Sequence, residues 1–413
     1  MEFINAVLPN GLEVVAECNP QAVSAAFGFF VRTGARDEAE AESGVSHFLE
    51  HMAFKGRGDV RSDEINRRFD AMGATCNAYT SEESTGYFAA VLPEFQTAVV
   101  RLLADLLRPD LRPDDFEMER QVILEEINMY EDQPPFGADD QLRAAFFGSH
   151  PLSHSVLGTR QSISEMTRQV MIDYHRRRYA SANVVLAAAG NVDFGRLVEE
   201  ARAATSDWDG PPAAVAKQPP TPRATRLTIC KPDAAMEYIM QLSAGPPAGH
   251  PLRTAAAVLA AIVGDEVGSR LFWELVDPGR AESAGMSFHE YFDAGLMAAD
   301  LTCEPDDSRE NYRIFQRVLS AVQAEGVHPA ELNQAKNKLA SRIVLGQERP
   351  AQRLFAVAGD WIYDHRYRPM PAVLDEVVSV TTETIGELLA LFPLTLNAAA
   401  AVGPLTQFPL EDG

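Results

Sequence analysis

Within the pentapeptide His47-Phe48-Leu49-Glu50-His51, two imidazoles stand four residues apart with a carboxylate between them. On a helix, residues at this spacing share one face a turn apart, so both rings can point at one ion while Glu50 lies on the flank of that face. Phe48 and Leu49 then turn toward packing. Zinc-assisted hydrolysis needs neutral nitrogen donors, an open position for water, and a carboxylate that takes the water's proton. The pentapeptide supplies the nitrogens and the carboxylate. A third protein ligand must come from elsewhere in the chain.

The acidic segment 113–130 is where that ligand is expected. Phe116, Ile123, Ile127 and Tyr130 recur at helical spacing and form a buried stripe. Beside the stripe, Glu119 and Glu126 are seven residues apart, nearly eclipsed on a helix of about 3.6 residues per turn. Glu125 is rotated about 100° away from Glu126. Glu126 is therefore the expected third ligand, and Glu119 a supporting carboxylate that hydrogen-bonds a ligating histidine and selects its tautomer. Without the histidine pair, the same glutamates would read as a solvated acidic face.

The order His-x-x-Glu-His inverts the commoner His-Glu-x-x-His and is the inverzincin signature. With Met52-Ala53-Phe54-Lys55-Gly56 after it, then Asn77-Ala78-Tyr79-Thr80-Ser81, then Glu119-Arg120 and Glu126, the chain resembles the pitrilysin and mitochondrial processing peptidase family of zinc metallopeptidases. Leu8-Pro9-Asn10-Gly11-Leu12 and the stretch from His150-Pro151-Leu152 to Gly158-Thr159 are similar to that family too. The resemblance implies His47, His51 and Glu126 as zinc ligands, Glu50 as general base and Glu119 as supporting carboxylate. It implies an α+β fold of two homologous halves, each a largely antiparallel sheet backed by helices. The activity implied is that of a zinc-dependent endopeptidase or oligopeptidase acting on peptides or unfolded segments in an enclosed chamber. Such chambers are built from four homologous halves, so a chain of two halves implies a homodimer or a heterodimer with a homologous chain. Substrate is expected to add as a strand beside Asn77, Ala78 and Tyr79.

One stretch departs from the family pattern. Relatives carry an arginine and a tyrosine after Ser269-Arg270-Leu271-Phe272, yet 278–286 lacks the tyrosine, and Glu282 stands roughly in its place. Arg280 with Tyr291 is the available substitute for substrate binding, although His289-Glu290-Tyr291 reads equally as a surface strand. The departure leaves open a slow self-sufficient enzyme, a metal-bearing subunit active only with a homologous partner, or a non-catalytic scaffold or regulatory subunit.

At 413 residues the chain exceeds what one core usually serves, and two domains are expected. The proline-rich stretch 210–222 divides it into a zinc-binding half, 1–209, and a second half, 223–413, with a substrate and chamber role. A shift of 216 positions sets Pro113 on Pro329, Phe116 on Leu332, Ile123 on Leu339 and Ile127 on Ile343. The same shift sets Glu119 on Ala335 and Glu126 on Arg342, so the second half keeps the scaffold, drops the ligands, and leaves one zinc per chain. A net charge of −23 argues against nucleic-acid or anionic-membrane binding. No run of about 18 apolar residues is present, and the opening residues lack a basic region with an apolar core, so the expectation is a cytoplasmic protein without a membrane span. The four cysteines are scattered and read as reduced thiols.

Period and punctuation predict strands at 12–17 and 25–33, a helix from Ser43 or Gly44 through the pentapeptide, and a helix at 62–72. Two strands within 75–92 are joined at 81–84, and further helices are expected near 94–107, 163–178 and 251–263. His150 and His154 fall in a loop, and His175 at a helix end.

Overall fold

A computed structural model of the protein describes residues 1–135, 137–213 and 218–409. The first sequence half runs β1 (Glu2–Val7), β2 (Glu13–Cys18), β3 (Ala25–Val31), α1 (Val45–Ala53), α2 (Ser62–Ala71), β4 (Thr75–Thr80) and β5 (Thr85–Val91). It continues with α3 (Gln96–Leu106), α4 (Pro113–Asp132), α5 (Ala138–Phe147), α6 (Arg160–Glu165), α7 (Arg168–Arg178), β6 (Val184–Gly190) and α8 (Phe194–Ala204). The single helix expected over 163–178 is broken, because Thr167 caps a new helix by accepting the Val170 N–H.

The second half runs β7 (Thr225–Cys230), β8 (Glu237–Gly245), α9 (Arg253–Gly264), β9 (Ser283–Glu290), β10 (Gly295–Cys303) and α10 (Ser308–Glu325). Then follow α11 (Pro329–Gly346), α12 (Pro350–Asp364), α13 (Met370–Ser379), α14 (Thr382–Leu391) and β11 (Asn397–Gly403). The sheets are ordered β1-β2-β6-β3-β5-β4 and β7-β11-β8-β10-β9. Apart from β1, the two ladders are the same. Each pairs its first strand parallel to its last, and every other pairing is antiparallel. This is the α+β architecture of two matching halves that the resemblance implied.

β3 and β6 are buried along their whole length and apolar throughout, as strands covered on both faces must be. On the inner face of the first sheet, Phe27, Phe29 and Tyr87 join a core with Val45, Phe48, Leu49 and Met52 of α1 and Phe116, Ile123 and Ile127 of α4.

The covers of the outer faces are exchanged. The chain forms two compact units, one of Met1–Ile127, His154–Ala216 and Leu345–Arg368, the other of Asn128–Ser153, Lys217–Val344 and Pro369–Gly413. Hence α12, from the second sequence half, covers β2, β3 and β6 in unit 1, and α5, from the first, covers β7, β8 and β11 in unit 2. The division of the sequence into 1–209 and 223–413 is corrected accordingly. Each half hands one helix to the other unit, where its apolar stripe is buried. Arg353 of α12 is held to Glu17 of β2 by a buried ion pair. Residues 214–217 of the stretch read as a linker lie outside the described residues. Among the described residues, no helix is long and apolar enough to cross a membrane.

Candidate metal centre

Helix α1 enters through Gly44, whose φ of 88° lies in the left-handed region. A Cβ there would come within 2.7 Å of the Leu157 carbonyl oxygen, so glycine is required by both conformation and space. Gly44 has no side chain to cap the helix, and Glu38 does so from outside. Its buried carboxylate accepts the Gly44 N–H at 2.7 Å and the Ser46 N–H at 2.8 Å, two of the donors a helix start leaves unpaired. Burial pushes the Glu38 carboxyl up to about 8, against the pull of those N–H groups. The Tyr174 hydroxyl bridges Ser46 and Thr33 at 2.8 and 2.9 Å, tying the same turn to α7 and the sheet.

Phe48 on α1 stacks on Phe116 of α4, with ring centroids 4.7 Å apart and planes 13° from parallel. That contact sets the rotation of α4 against α1. Consequently the Glu126 Oε2 atom lies 3.8 Å from His47 Nε2 and 3.7 Å from His51 Nε2. The three ligand atoms all fall within 4.8 Å of one another. These spacings are too long for hydrogen bonds. They suit atoms that share an ion, since ligands at about 2.1 Å in a tetrahedron stand about 3.4 Å apart. Two imidazoles and a carboxylate form a donor set that fits zinc.

The protonation states follow from the surroundings. Burial, with His51 adjacent, pushes the His47 imidazole down to about 3, so this ring is neutral and ready to donate a lone pair. His51 Nδ1 lies 3.0 Å from Glu119 Oε2, and Lys55 Nζ pairs with the other Glu119 oxygen. Burial works to raise the Glu119 pKa, but the hydrogen bonds from His51 and Lys55 outweigh it and hold the carboxylate below its usual range. An ionised Glu119 keeps the proton on Nδ1 and leaves Nε2 facing Glu126. Glu50 accepts a hydrogen bond from Thr80 Oγ1 at 2.7 Å, and burial raises its pKa above the ordinary glutamate value.

Thr80 belongs to β4, which among the described residues pairs only with β5 and forms the open edge of its sheet. The Ser81 N–H donates to the Ser84 carbonyl. Because antiparallel pairs alternate, Tyr79 opposite Gly86 and Asn77 opposite Phe88 are hydrogen-bonded into the ladder. Cys76, Ala78 and Thr80 therefore turn their backbone groups to the edge. The Ala78 N–H is covered there by the Asn77 side-chain oxygen at 2.9 Å. This bears on the expected substrate strand at Asn77, Ala78 and Tyr79. Ala78 offers edge groups, whereas the Tyr79 ring packs on the opposite face against Phe30, Phe88 and Phe355. Arg280 is exposed in a turn of unit 2 and Glu282 is exposed beside it. Tyr291 is buried against α5, where its hydroxyl accepts a hydrogen bond from Arg143 at 3.2 Å.

Sequence reasoning missed Glu38, Lys55 and Thr80. Glu38 is one acid among Asp37, Glu40 and Glu42, and nothing local separates it from a solvated run. The three other histidines that the sequence singled out are occupied elsewhere. His150 Nε2 bonds the Gln218 carbonyl at 2.7 Å, His154 the Ala35 carbonyl at 3.1 Å and His175 the Leu107 carbonyl at 2.8 Å.

Residues 13–160 match the model of the insulinase family, peptidase family M16, and residues 165–339 that of the peptidase M16 inactive domain. An uncharacterized zinc protease of Mycobacterium tuberculosis is 34% identical over 407 residues, spanning 96% of this chain and 92% of that protein. A probable mitochondrial-processing peptidase subunit beta of Arabidopsis thaliana is 27% identical over 419 residues, spanning 97% of this chain and 78% of that protein. The fold of a peptidase M16 inactive domain from Pseudomonas fluorescens superposes with a TM-score of 0.90 at 19% identity over all of both chains. The chain thus belongs to peptidase family M16, the pitrilysin and processing-peptidase group to which its motifs pointed.

Proposed function

We propose that the chain is a zinc-dependent peptidase that hydrolyses amide bonds in peptides or unfolded segments. The observation that carries this reading is the convergence of His47, His51 and Glu126 on one point, with Glu50 next to His51 on the same helix. In this reading His47, His51 and Glu126 hold one zinc ion per chain. When bound, the ion supplies Lewis-acid polarisation and a water of lowered pKa. Glu50 takes the proton of the attacking water and returns it to the leaving amine. Its raised pKa suits both transfers. Glu119 holds the tautomer and orientation of His51, and Lys55 keeps Glu119 ionised. The substrate lies as an added strand along β4, meeting the outward backbone groups of Cys76, Ala78 and Thr80. Metal analysis with digestion of a mixed peptide library, read by mass spectrometry, tests the reading. Cleavage that stops with a chelator and with Glu50→Gln is expected. Cleavage that survives both would overturn it.

A second reading rests on the exposed Glu282 and on the subunit designation of the Arabidopsis relative. Here the chain is the metal-bearing member of a dimer and works only beside a homologous chain. One zinc per chain without cleavage, followed by cleavage on mixing with such a partner, would select it. Zinc binding with no turnover under either condition would leave the scaffold role.

A further inference from the structure

The outer faces of the two sheets are covered by equivalent helices, and the covers differ. In unit 1, α12 lays Phe355 among Phe30, Tyr79 and Phe88, with ring centroids 6.1, 6.1 and 4.7 Å away. Counting along equivalent elements finds their counterparts in unit 2. Phe355 is the sixth residue of α12 and Arg143 the sixth of α5. Phe30 is the sixth of β3 and Leu242 the sixth of β8. The ladders carry the match across. Phe30 faces Gly86, which faces Tyr79, as Leu242 faces Ala298, which faces Ser287. Phe88 faces Gly28 as Asp300 faces Met240. Four aromatic residues in unit 1 are thus replaced by Arg143, Leu242, Ser287 and Asp300.

The lost rings leave space. α5 has 10 residues where α12 has 15. Beside it opens a cavity of about 310 Å³ lined by Leu142, Arg143, Met240, Leu242, Ala298 and Asp300. This volume is that of a small-ligand site. The Asp300 carboxylate, whose pKa the surrounding protein raises, leans over Gly285, where an added Cβ would stand 3.0 Å from its Oδ1. Among the described residues the Asp300 carboxylate has no hydrogen bond or ion pair, and Asp139 lies on the same lining. The Arg143 guanidinium is turned to the Tyr291 hydroxyl. Burial, with Arg143 nearby, lowers the pKa of His289 on the lining and keeps that ring neutral. The cavity therefore joins an apolar floor to two carboxylates and one guanidinium, the latter turned to the Tyr291 hydroxyl.

We propose that this cavity binds a primary arylalkylamine, its ring filling the space that aromatic side chains fill in unit 1 and its ammonium group pairing with Asp300 and Asp139. The same chemistry occurs in a free arylethylamine and in the amino-terminal aromatic residue of a peptide. The full chain is titrated with 2-phenylethylamine at neutral pH by calorimetry. Saturable binding is expected, with 2-phenylethanol, which has the ring without the charge, weaker by about threefold or more. Ethylamine, which has the charge without the ring, should not bind. Asp300→Asn should weaken the amine and leave the alcohol unchanged, and Ala298→Trp should abolish both. Phenylalanyl-glycinamide beside its N-acetyl form separates the sources. A dipeptide tighter than the free amine assigns the site to peptide amino termini, and the reverse order assigns it to small amines. Absence of saturable 2-phenylethylamine binding to the unaltered chain overturns the proposal, as does equal affinity for amine and alcohol. The ligand comparison needs no variant to fold and no metal or hydrolysis, so its outcome is independent of the peptidase reading.

Discussion

The two units share one ladder of strands and differ in what stands between their helices. In unit 1, α1 brings two imidazoles to the Glu126 and Glu119 side chains of α4. In unit 2, α9 is a run of buried small and aliphatic residues without histidine or acid. Its partner α11 carries Ala335 and Arg342 where the 216-residue shift places Glu119 and Glu126. Arg342 and Lys338 instead pair with Asp265, just beyond α9, at 2.5 and 3.0 Å. The same helix pair is joined by a candidate metal-ligand set in one copy and by ion pairs in the other. Scaffold and chemistry are therefore separable. A handful of side chains decides between them, because the ladder and the buried stripes hold the helices in place without help from either.

The largest expected effects attack the set in unit 1. His51→Ala should drop bound zinc, measured by atomic emission, to near zero. Glu50→Gln should retain zinc and lose about 10³-fold in peptide cleavage rate. Equal cleavage by the Gln variant and the parent would remove Glu50 from the chemistry. Next comes the Phe48–Phe116 stack. Phe116→Ala should cost about 3–5 kcal/mol in unit 1, read by denaturant unfolding through the buried Trp208. The signal of the exposed Trp273 in unit 2 should follow its parental course.

Glu119→Gln should weaken zinc binding about 10–100-fold by competition with a chromophoric chelator. An unchanged affinity would mean that His51 is oriented by packing alone. The smallest effect is expected in unit 2. Burial raises the Asp265 pKa less than the hydrogen bonds from Arg342 and Lys338 lower it, so the folded value lies below the ordinary 3.8. Its contribution is complete above that ordinary value and is lost as pH falls through the folded one. Asp265→Asn should destabilise unit 2 by about 1–2 kcal/mol at neutral pH. In acid unfolding curves the difference from the parent should vanish at low pH. A difference that persists there would show that the loss is not electrostatic.

Much of the site was legible because helical period is local. His47, Glu50 and His51 fall on one turn, and the phase of Glu126 against Glu119 follows from seven residues of helix. The duplication was legible in the apolar stripe that α4 and α11 share, and β3, α1, α2, β4, β5 and α9 stand within a few residues of their expected places. Glu38, Lys55 and Thr80 were not legible, because each is selected by where distant segments return. The exchange of α5 and α12 is of the same kind, since either helix has an apolar stripe and no local signal names the sheet that will bury it. Tyr79 was placed at the substrate edge because its strand is there. The pairing of Ser81 with Ser84 decides that its backbone turns inward, and its ring meets an aromatic cluster completed by Phe355, hundreds of residues away.

By itself, the amino-acid sequence determined the donor set, its order, and its loss in the second half, since residue type and helical spacing are properties of short segments. Tertiary structure alone decided that the donors meet, that Lys55 pairs with the Glu119 carboxylate beside His51, that β4 is an open edge among the described residues, and that a cavity opens under α5. Those outcomes depend on how strands pair and which helix covers which face, and such contacts join residues that nothing in local spacing connects.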